Sequence, residues 1–352
     1  MKVFFGWTQN NAVAYIRMIQ FAKQMQRMKG IEAAYSKWQP YDNITVSWQN
    51  ELENPLVLKQ LEILLENADI TIFGAFCNAR ALALIQAAQE KYKKPIFMEM
   101  DDYIFNLPEY NVASNVYHSG STPEWIFIKQ MQISDGMIVS TNYLKEEYAK
   151  YNKNIHVIPN GIDFKVWDKL KCPTKNDGII RIGFEGSPNH KGDLRILKYV
   201  LIEILKKYPN VEFHTMGCET GFTHERVKPS DDFKPVNEYP KALAEKGFDI
   251  GVAPLKDNYF NRGKSNLRYL EMSALRIPTA ATDCRAYAEI ENGVNGFKCS
   301  TTKEWIDSLS FLIENEKKRK EIGNNAYIYA KNNYALTNIT DRYVELLKSQ
   351  KR

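Results

Sequence analysis

Cysteine is sparse and scattered in this chain. The five cysteines, Cys77, Cys172, Cys218, Cys284 and Cys299, are odd in number and contain no Cys-x-x-Cys pair. That excludes a disulfide framework and a paired-cysteine zinc site, and it makes a reducing cytoplasm the expected compartment. Long apolar runs are missing as well: none approaches the ~20 residues a membrane span needs. The apolar run within Met1–Trp7 is too short for a signal peptide and reads as the opening strand of an α/β domain. No short-period repeat and no low-complexity segment interrupts the chain. Neither sign of charge dominates. The net charge is +5, which fits a solvated surface with some phosphate-binding lysines. It leaves nucleic acid, an anionic membrane or an acidic glycan open as partners. Lys317-Lys318-Arg319-Lys320, behind Glu314 and Glu316, reads as a solvent-facing helix.

What is present is a regular alternation of short apolar strands and amphipathic helices. In the N-terminal half, strands are expected at Lys2–Gly6, Ile31–Tyr35, Ile70–Phe73, Pro95–Met100, Gly136–Ser140 and Ile155–Ile158. Helices are expected at 12–28, 55–66, 78–91, 122–134 and 141–151. This order predicts an α/β fold with parallel, doubly wound sheets. At 352 residues, two domains of roughly 150–180 residues are expected. We place them at 1–165 and 166–335, followed by a terminal helix over 336–352. Tyr343, Leu346 and Leu347 would form that helix's buried stripe.

The richest segment runs from Phe248 to Phe297. Asp249–Leu255 reads as a buried parallel strand and Lys256–Gly263 as a polar loop. Ser265 stands where a helix N-cap belongs, ahead of Asn266–Leu275. Thr279–Thr282 reads as the next strand. Free N–H groups at a helix start, with Lys264 beside them, make an anion site. Glu271, six residues past Ser265, would accept hydrogen bonds from a ribose diol.

This segment resembles the donor-binding half of GT-B glycosyltransferases, close to glycosyltransferase family 4. Glu271 matches the second of that family's two glutamates, Arg276-Ile277-Pro278 its Gly-x-Pro, Glu289 its Pro-Glu glutamate and Glu291–Gly296 its exit turn. Ile158-Pro159-Asn160-Gly161-Ile162-Asp163 is similar to its interdomain segment, and Arg181–Ser187 to the first strand of its second domain. Two departures stand out. Gly263 occupies the place of the first glutamate, within a variant Asn261-Arg262-Gly263-Lys264-Ser265 pattern. Ser187 occupies the place of a phosphate-clamping arginine, while Lys191 keeps the lysine.

The resemblance implies two Rossmann-like domains facing a central cleft, the N-terminal one binding acceptor and the C-terminal one nucleotide sugar. It also implies a C-terminal helix that crosses back to the first domain. The expected donor-binding residues are Gly6, Gly186, Ser187, Lys191, Asp257, Asn261, Arg262, Lys264, Ser265, Asn266, Leu267 and Glu271. Asp257, Asn261 and Lys264 are the candidates to grip the sugar. Lys191 and Lys264 would stabilise the leaving diphosphate, because such enzymes use no metal for it. No cofactor or metal is expected beyond a UDP- or GDP-linked sugar as co-substrate.

In the first domain, Glu99-Met100-Asp101-Asp102 directly follows a strand, at the end where ligands bind in such sheets. Asp101 and Asp102 are candidates for acceptor recognition or general-base help. A helix cap or a structural ion pair is the alternative, and a divalent-cation site a weaker one. Trp7, Asn10, Arg17 and His118 complete the acceptor candidates, with a surface salt bridge as the other reading of Arg17. Loop Gly6–Asn11 lacks the Gly-Gly pair usual in such enzymes.

The expected activity is sugar transfer from a nucleotide sugar to an acceptor hydroxyl, with retention. A surface polysaccharide or lipid-linked glycan is the first acceptor choice, at a cytoplasmic site or the inner membrane face. A hydroxylated base in phage DNA is the second choice. A nucleotide-sugar epimerase and an inactive nucleotide-binding relic are the alternatives. The sequence shows no pair of carboxylates arranged for a glycoside hydrolase.

Overall fold

The structure, a computed structural model, describes residues 1–6, 12–35, 55–75, 79–173, 176–231 and 234–350. Trp7 and Asn10 lie outside the described residues, as does Cys77. The chain forms two compact units. One contains residues 1–109, 113–161 and the C-terminal helix, and the other contains 110–112 and 162–335.

The first unit alternates strand and helix. Strand β1 (Lys2–Gly6) leads to α1 (Ala12–Ala14), a π-helical turn (Tyr15–Ile19) and α2 (Gln20–Met25). Then come β2 (Glu32–Tyr35), α3 (Pro55–Asn67), β3 (Ile70–Gly74), α4 (Ala79–Tyr92) and β4 (Ile96–Met100). Helix α5 (Thr122–Ile133), β5 (Gly136–Val139), α6 (Asn142–Tyr148) and β6 (Ile155–Val157) complete the run. The strands pair in parallel in the order β2-β1-β3-β4-β5-β6. The side chains of β3, β4 and β5 are buried on both faces, and these strands are accordingly almost wholly apolar, Thr71 and Glu99 being the polar residues among them. Ser121 and Thr141 cap α5 and α6 by accepting the N–H groups of Glu124 and Leu144.

The second unit starts with α7 (Phe164–Trp167), β7 (Ile180–Glu185), α8 (Lys191–Leu194) and α9 (Lys198–Lys207). It continues through β8 (Val211–Met216), β9 (Val227–Lys228), α10 (Tyr239–Lys246), β10 (Ile250–Ala253), α11 (Tyr259–Arg262) and α12 (Leu267–Ala274). Strands β11 (Thr279–Thr282) and β12 (Phe297–Cys299) precede α13 (Thr302–Glu314) and α14 (Glu316–Tyr334). The sheet order is β12-β11-β10-β7-β8-β9, again parallel. Gly183 in β7 leaves room for Phe248: a Cβ there would fall 2.1 Å from the Phe248 ring. Gly183→Ala should therefore destabilise this unit by about 1–3 kcal/mol through overpacking. A urea midpoint equal to that of the parent would contradict this.

Helix α15 (Leu336–Gln350) returns to the first unit. Tyr343 is fully buried there, edge-on to Phe5 and Phe21, with Leu347 buried beside it and Leu346 partly so. Among the described residues no helix is long and apolar enough to cross a membrane.

Two local expectations need correction. The loop over 256–263 holds a helical turn, α11, capped by the Asn258 side chain accepting from the Asn261 N–H. Helix α12 starts after Asn266, not Ser265, and its N-cap side chain makes no capping bond. The Asn266 amide instead donates to the Glu289 carboxylate, so a tertiary partner overrides the local capping preference.

Candidate functional site

In open parallel sheets, ligands bind at the carboxyl ends of strands where the strand order reverses. In the second unit that switch lies between β7 and β10, because the chain goes from β7 to β8 on one side and from β10 to β11 on the other. The residues leaving β7 are Glu185, Gly186 and Ser187. Those leaving β10 are Pro254, Leu255 and Lys256. A buried aspartate ties the two exits together. Asp193 is fully buried, and its Oδ1 accepts the Lys256 N–H at 2.8 Å and the Asn261 amide at 2.7 Å. Its Oδ2 lies 2.8 Å from His190 Nδ1. Burial and the nearby Arg268 guanidinium hold His190 below its ordinary value, although Asp193 pulls the other way.

Helix α12 brings a second set of charges. Arg268 and Glu271 are both buried. Arg268 Nε donates to the Glu185 carbonyl at 2.8 Å and to its carboxylate at 3.2 Å. Its guanidinium also lies 4.5 Å from the centre of the Phe184 ring. The Tyr239 hydroxyl donates to Glu271 Oε2 at 3.1 Å and also meets Glu185. Two carboxylates and one guanidinium thus share a buried pocket. Burial and the Glu185 charge push the Glu271 carboxyl well above the usual carboxylate range, against Tyr239 and Arg268. Gly186 closes the pocket with φ +156, and a Cβ there would meet Arg268 Nη2 at 2.8 Å and His190 at 3.1 Å. Only glycine suits that backbone and that proximity.

The other candidates surround this pocket. Lys191 opens α8 and pairs with Glu219 at 3.2 Å, both exposed. Ser187 precedes Pro188 at the cap of a short 3-10 turn and makes no side-chain cap bond. Lys264 lies over the Phe260 ring at 4.1 Å and is near enough to help depress His190. Ser265 and Asn266 follow it, and Leu267 begins α12. Asp257 and Arg262 grip each other bidentately at 2.7 and 2.9 Å on the surface. Asn261 is buried, and its amide nitrogen donates to Asp193 and to the Lys256 carbonyl, so it braces the loop from within.

In the first unit Gly6 ends β1, where a Cβ would strike the Phe73 ring at 2.5 Å. Close strand packing thus already requires a glycine there. Arg17 corrects the surface reading. It sits in the π-helical turn, 1% exposed. Its Nε meets Glu99 at 2.6 Å and its Nη1 donates to the Asn160 side chain at 2.8 Å. Glu99 is therefore turned inward. Burial raises its carboxyl above the ordinary value, with Arg17 opposing. Asp101 and Asp102 are half-buried. Their carbonyls accept from Ser140 and Tyr148. His118 is exposed, with Nδ1 3.4 Å from the Ser119 carbonyl. No cluster of three or more His, Cys, Asp or Glu able to hold a metal occurs among the described residues. No disulfide joins any two of the four described cysteines.

Sequence reading passed over Glu185, Asp193, Tyr239 and Arg268. Glu185 and Asp193 do carry a signal, an acid at a strand's carboxyl end and another in the loop after it. Arg268 and Tyr239 carry none, because only the tertiary fold buries them.

No family model matches the chain, and neither does any curated protein. Solved structures do match its fold. Anabaena HepE in complex with UDP-glucose is similar with a TM-score of 0.66 at 15% identity, over 99% of this chain and 100% of that one. A glycosyltransferase from Rickettsia africae ESF-5 gives 0.64 at 14% identity, over 99% and 98%. A Listeria monocytogenes protein described as a UDP-N-acetylglucosamine 2-epimerase gives 0.55 at 13% identity, over 99% and 96%. The likeness is one of fold, and the fold is GT-B.

Proposed function

We propose that the chain is a glycosyltransferase that moves a sugar from a nucleoside-diphosphate sugar to an acceptor hydroxyl. The observation that carries the reading is the convergence at the β7–β10 switch point. A required glycine, a buried arginine, a buried glutamate and Lys264 meet there at the start of α12. In this reading Glu271 accepts the ribose hydroxyls. Lys191, Lys264 and the N–H groups of Ser265 and Asn266 hold the diphosphate. As the bond from the anomeric carbon to the diphosphate oxygen breaks, its electron pair goes to the diphosphate. The acceptor oxygen forms the new bond, and its proton passes to the leaving phosphate. Positive charge preorganised around the diphosphate stabilises this step without a metal. Retention and a glycan or lipid-linked acceptor belong to the same proposal, with Asp101 and Asp102 as the acceptor-side carboxylates.

The test is release of nucleoside diphosphate from UDP- and GDP-sugars, with and without polyprenyl-linked and polysaccharide acceptors. Acceptor-stimulated release that falls about 10–1000-fold in Lys264→Gln supports the reading. Conversion of the sugar nucleotide to its epimer without any acceptor would instead favour the epimerase reading, which the Listeria fold match keeps open.

A further inference from the structure

We infer that Arg268 is a cation of the diphosphate site alongside Lys264, reaching it at Gly186. The inference rests on the proposed nucleotide-sugar reading and adds a residue to it. A buried guanidinium costs a great deal unless its hydrogens are satisfied. Arg268 is 8% exposed, and its Nε is held by the Glu185 carbonyl and carboxylate. Those two bonds leave Nη1 and Nη2 without a hydrogen-bond partner among the described residues. The guanidinium is thus aimed by one edge, and its terminal nitrogens, which are not among the sealed unpartnered atoms of the described residues, stay open on the other.

Gly186 lies over that open edge. An ideal Cβ at Gly186 would come within 2.8 Å of Nη2, so the glycine's missing side chain gives the guanidinium access to the switch-point crevice. A second cation stands near that opening. Lys264 is close enough to act electrostatically on His190, whose ring lies 3.1 Å from that same Cβ position. A nucleoside monophosphate brings one phosphate to these cations and a diphosphate brings two. Arginine's fork can bind a phosphate by two parallel hydrogen bonds, which a lysine cannot. Glu185 is the positioning residue: it fixes the guanidinium's orientation and leaves the terminal nitrogens for the ligand.

Removing Arg268 alone would strand the Glu185 carboxylate, so the test uses the double variant Arg268→Gln/Glu185→Gln together with Arg268→Lys. Calorimetry measures UDP, UMP, GDP, GMP and inorganic pyrophosphate against the parent and both variants. The inference expects the favoured diphosphate to lose about 10–100-fold in the double variant, the size of one or two charge-assisted hydrogen bonds. Its monophosphate should change by less than about 3-fold, and Arg268→Lys should fall between parent and double variant. Pyrophosphate should weaken in parallel with the diphosphate. Equal losses for mono- and diphosphate, or no loss for either, would overturn the role of Arg268 and leave the nucleotide reading intact. A parent protein that binds none of the five ligands would overturn the nucleotide reading itself, and this inference with it.

Discussion

Arg17→Met is expected to cost the first unit about 3–5 kcal/mol, because it leaves a buried carboxylate without its counter-charge. Arg17 and Glu99 are 1% and 3% exposed and only 2.6 Å apart. The same arginine holds the Asn160 side chain, so one substitution unties the π-helical turn from both β4 and the segment after β6. At about 2–4 °C per kcal/mol for a unit of this size, the melting temperature should fall by roughly 6–20 °C. The loss should grow with pH. Burial already raises the Glu99 carboxyl, with Arg17 opposing, and removing Arg17 raises it further. At low pH the variant's Glu99 takes up a proton and its penalty shrinks; at high pH it is a buried bare charge. Arg17→Met/Glu99→Met, which removes both charges, should recover most of the loss. A single variant within 1 kcal/mol of the parent at pH 8 would show that the pair does not hold this unit together.

Glu271→Gln should move stability and binding in opposite directions. The folded protein raises this carboxyl well above its ordinary value, chiefly by burial and then through Glu185. A carboxyl raised by folding stabilises the protein below its unfolded value, and that stability is lost as pH rises through the folded value. The parent therefore carries a penalty at neutral pH that the amide does not. Glutamine should raise the melting temperature of the second unit at pH 8, by about 1–2 kcal/mol in stability. The gain should vanish near pH 4. The same change replaces one of the two carboxyl oxygens offered to the ribose diol by an amide nitrogen, which cannot accept. The favoured nucleoside diphosphate should therefore bind about 10–100-fold more weakly. Strained or charged pockets kept for function commonly show this trade-off. A variant that is both less stable at pH 8 and unchanged in nucleotide affinity would mean that Glu271 is a purely structural residue.

Most of the fold was legible because its central strands are short, apolar and buried on both faces, and its helices carry a clear polar face. The alternation therefore survived without any long-range information. The ends of elements were less legible. Ser265 resembles an N-cap by local chemistry, but the Asn266–Glu289 bond moves the helix start by one residue. The loop before it hid a helical turn because Asn258 caps it from within. At the candidate site, Glu271, Lys264 and the residues after β7 could be picked out by their place after strands and at a helix start. Arg268, Asp193 and Tyr239 could not. A buried polar residue looks like any surface residue until the sheet order brings its partner beside it. The burial of Arg17 was hidden for the same reason: its alternative reading as a surface salt bridge fails because only the β1–β3–β4 arrangement sets Glu99 against it.

The most direct test of the account is hydrogen–deuterium exchange of the full chain with and without a saturating nucleoside diphosphate, UDP and GDP in turn. Slowed exchange is expected over residues 185–193 and 256–271, the two strand exits and the start of α12, for at least one of the two ligands. No change with either ligand, or protection confined to the first unit, would contradict the placement of the nucleotide at the β7–β10 switch point.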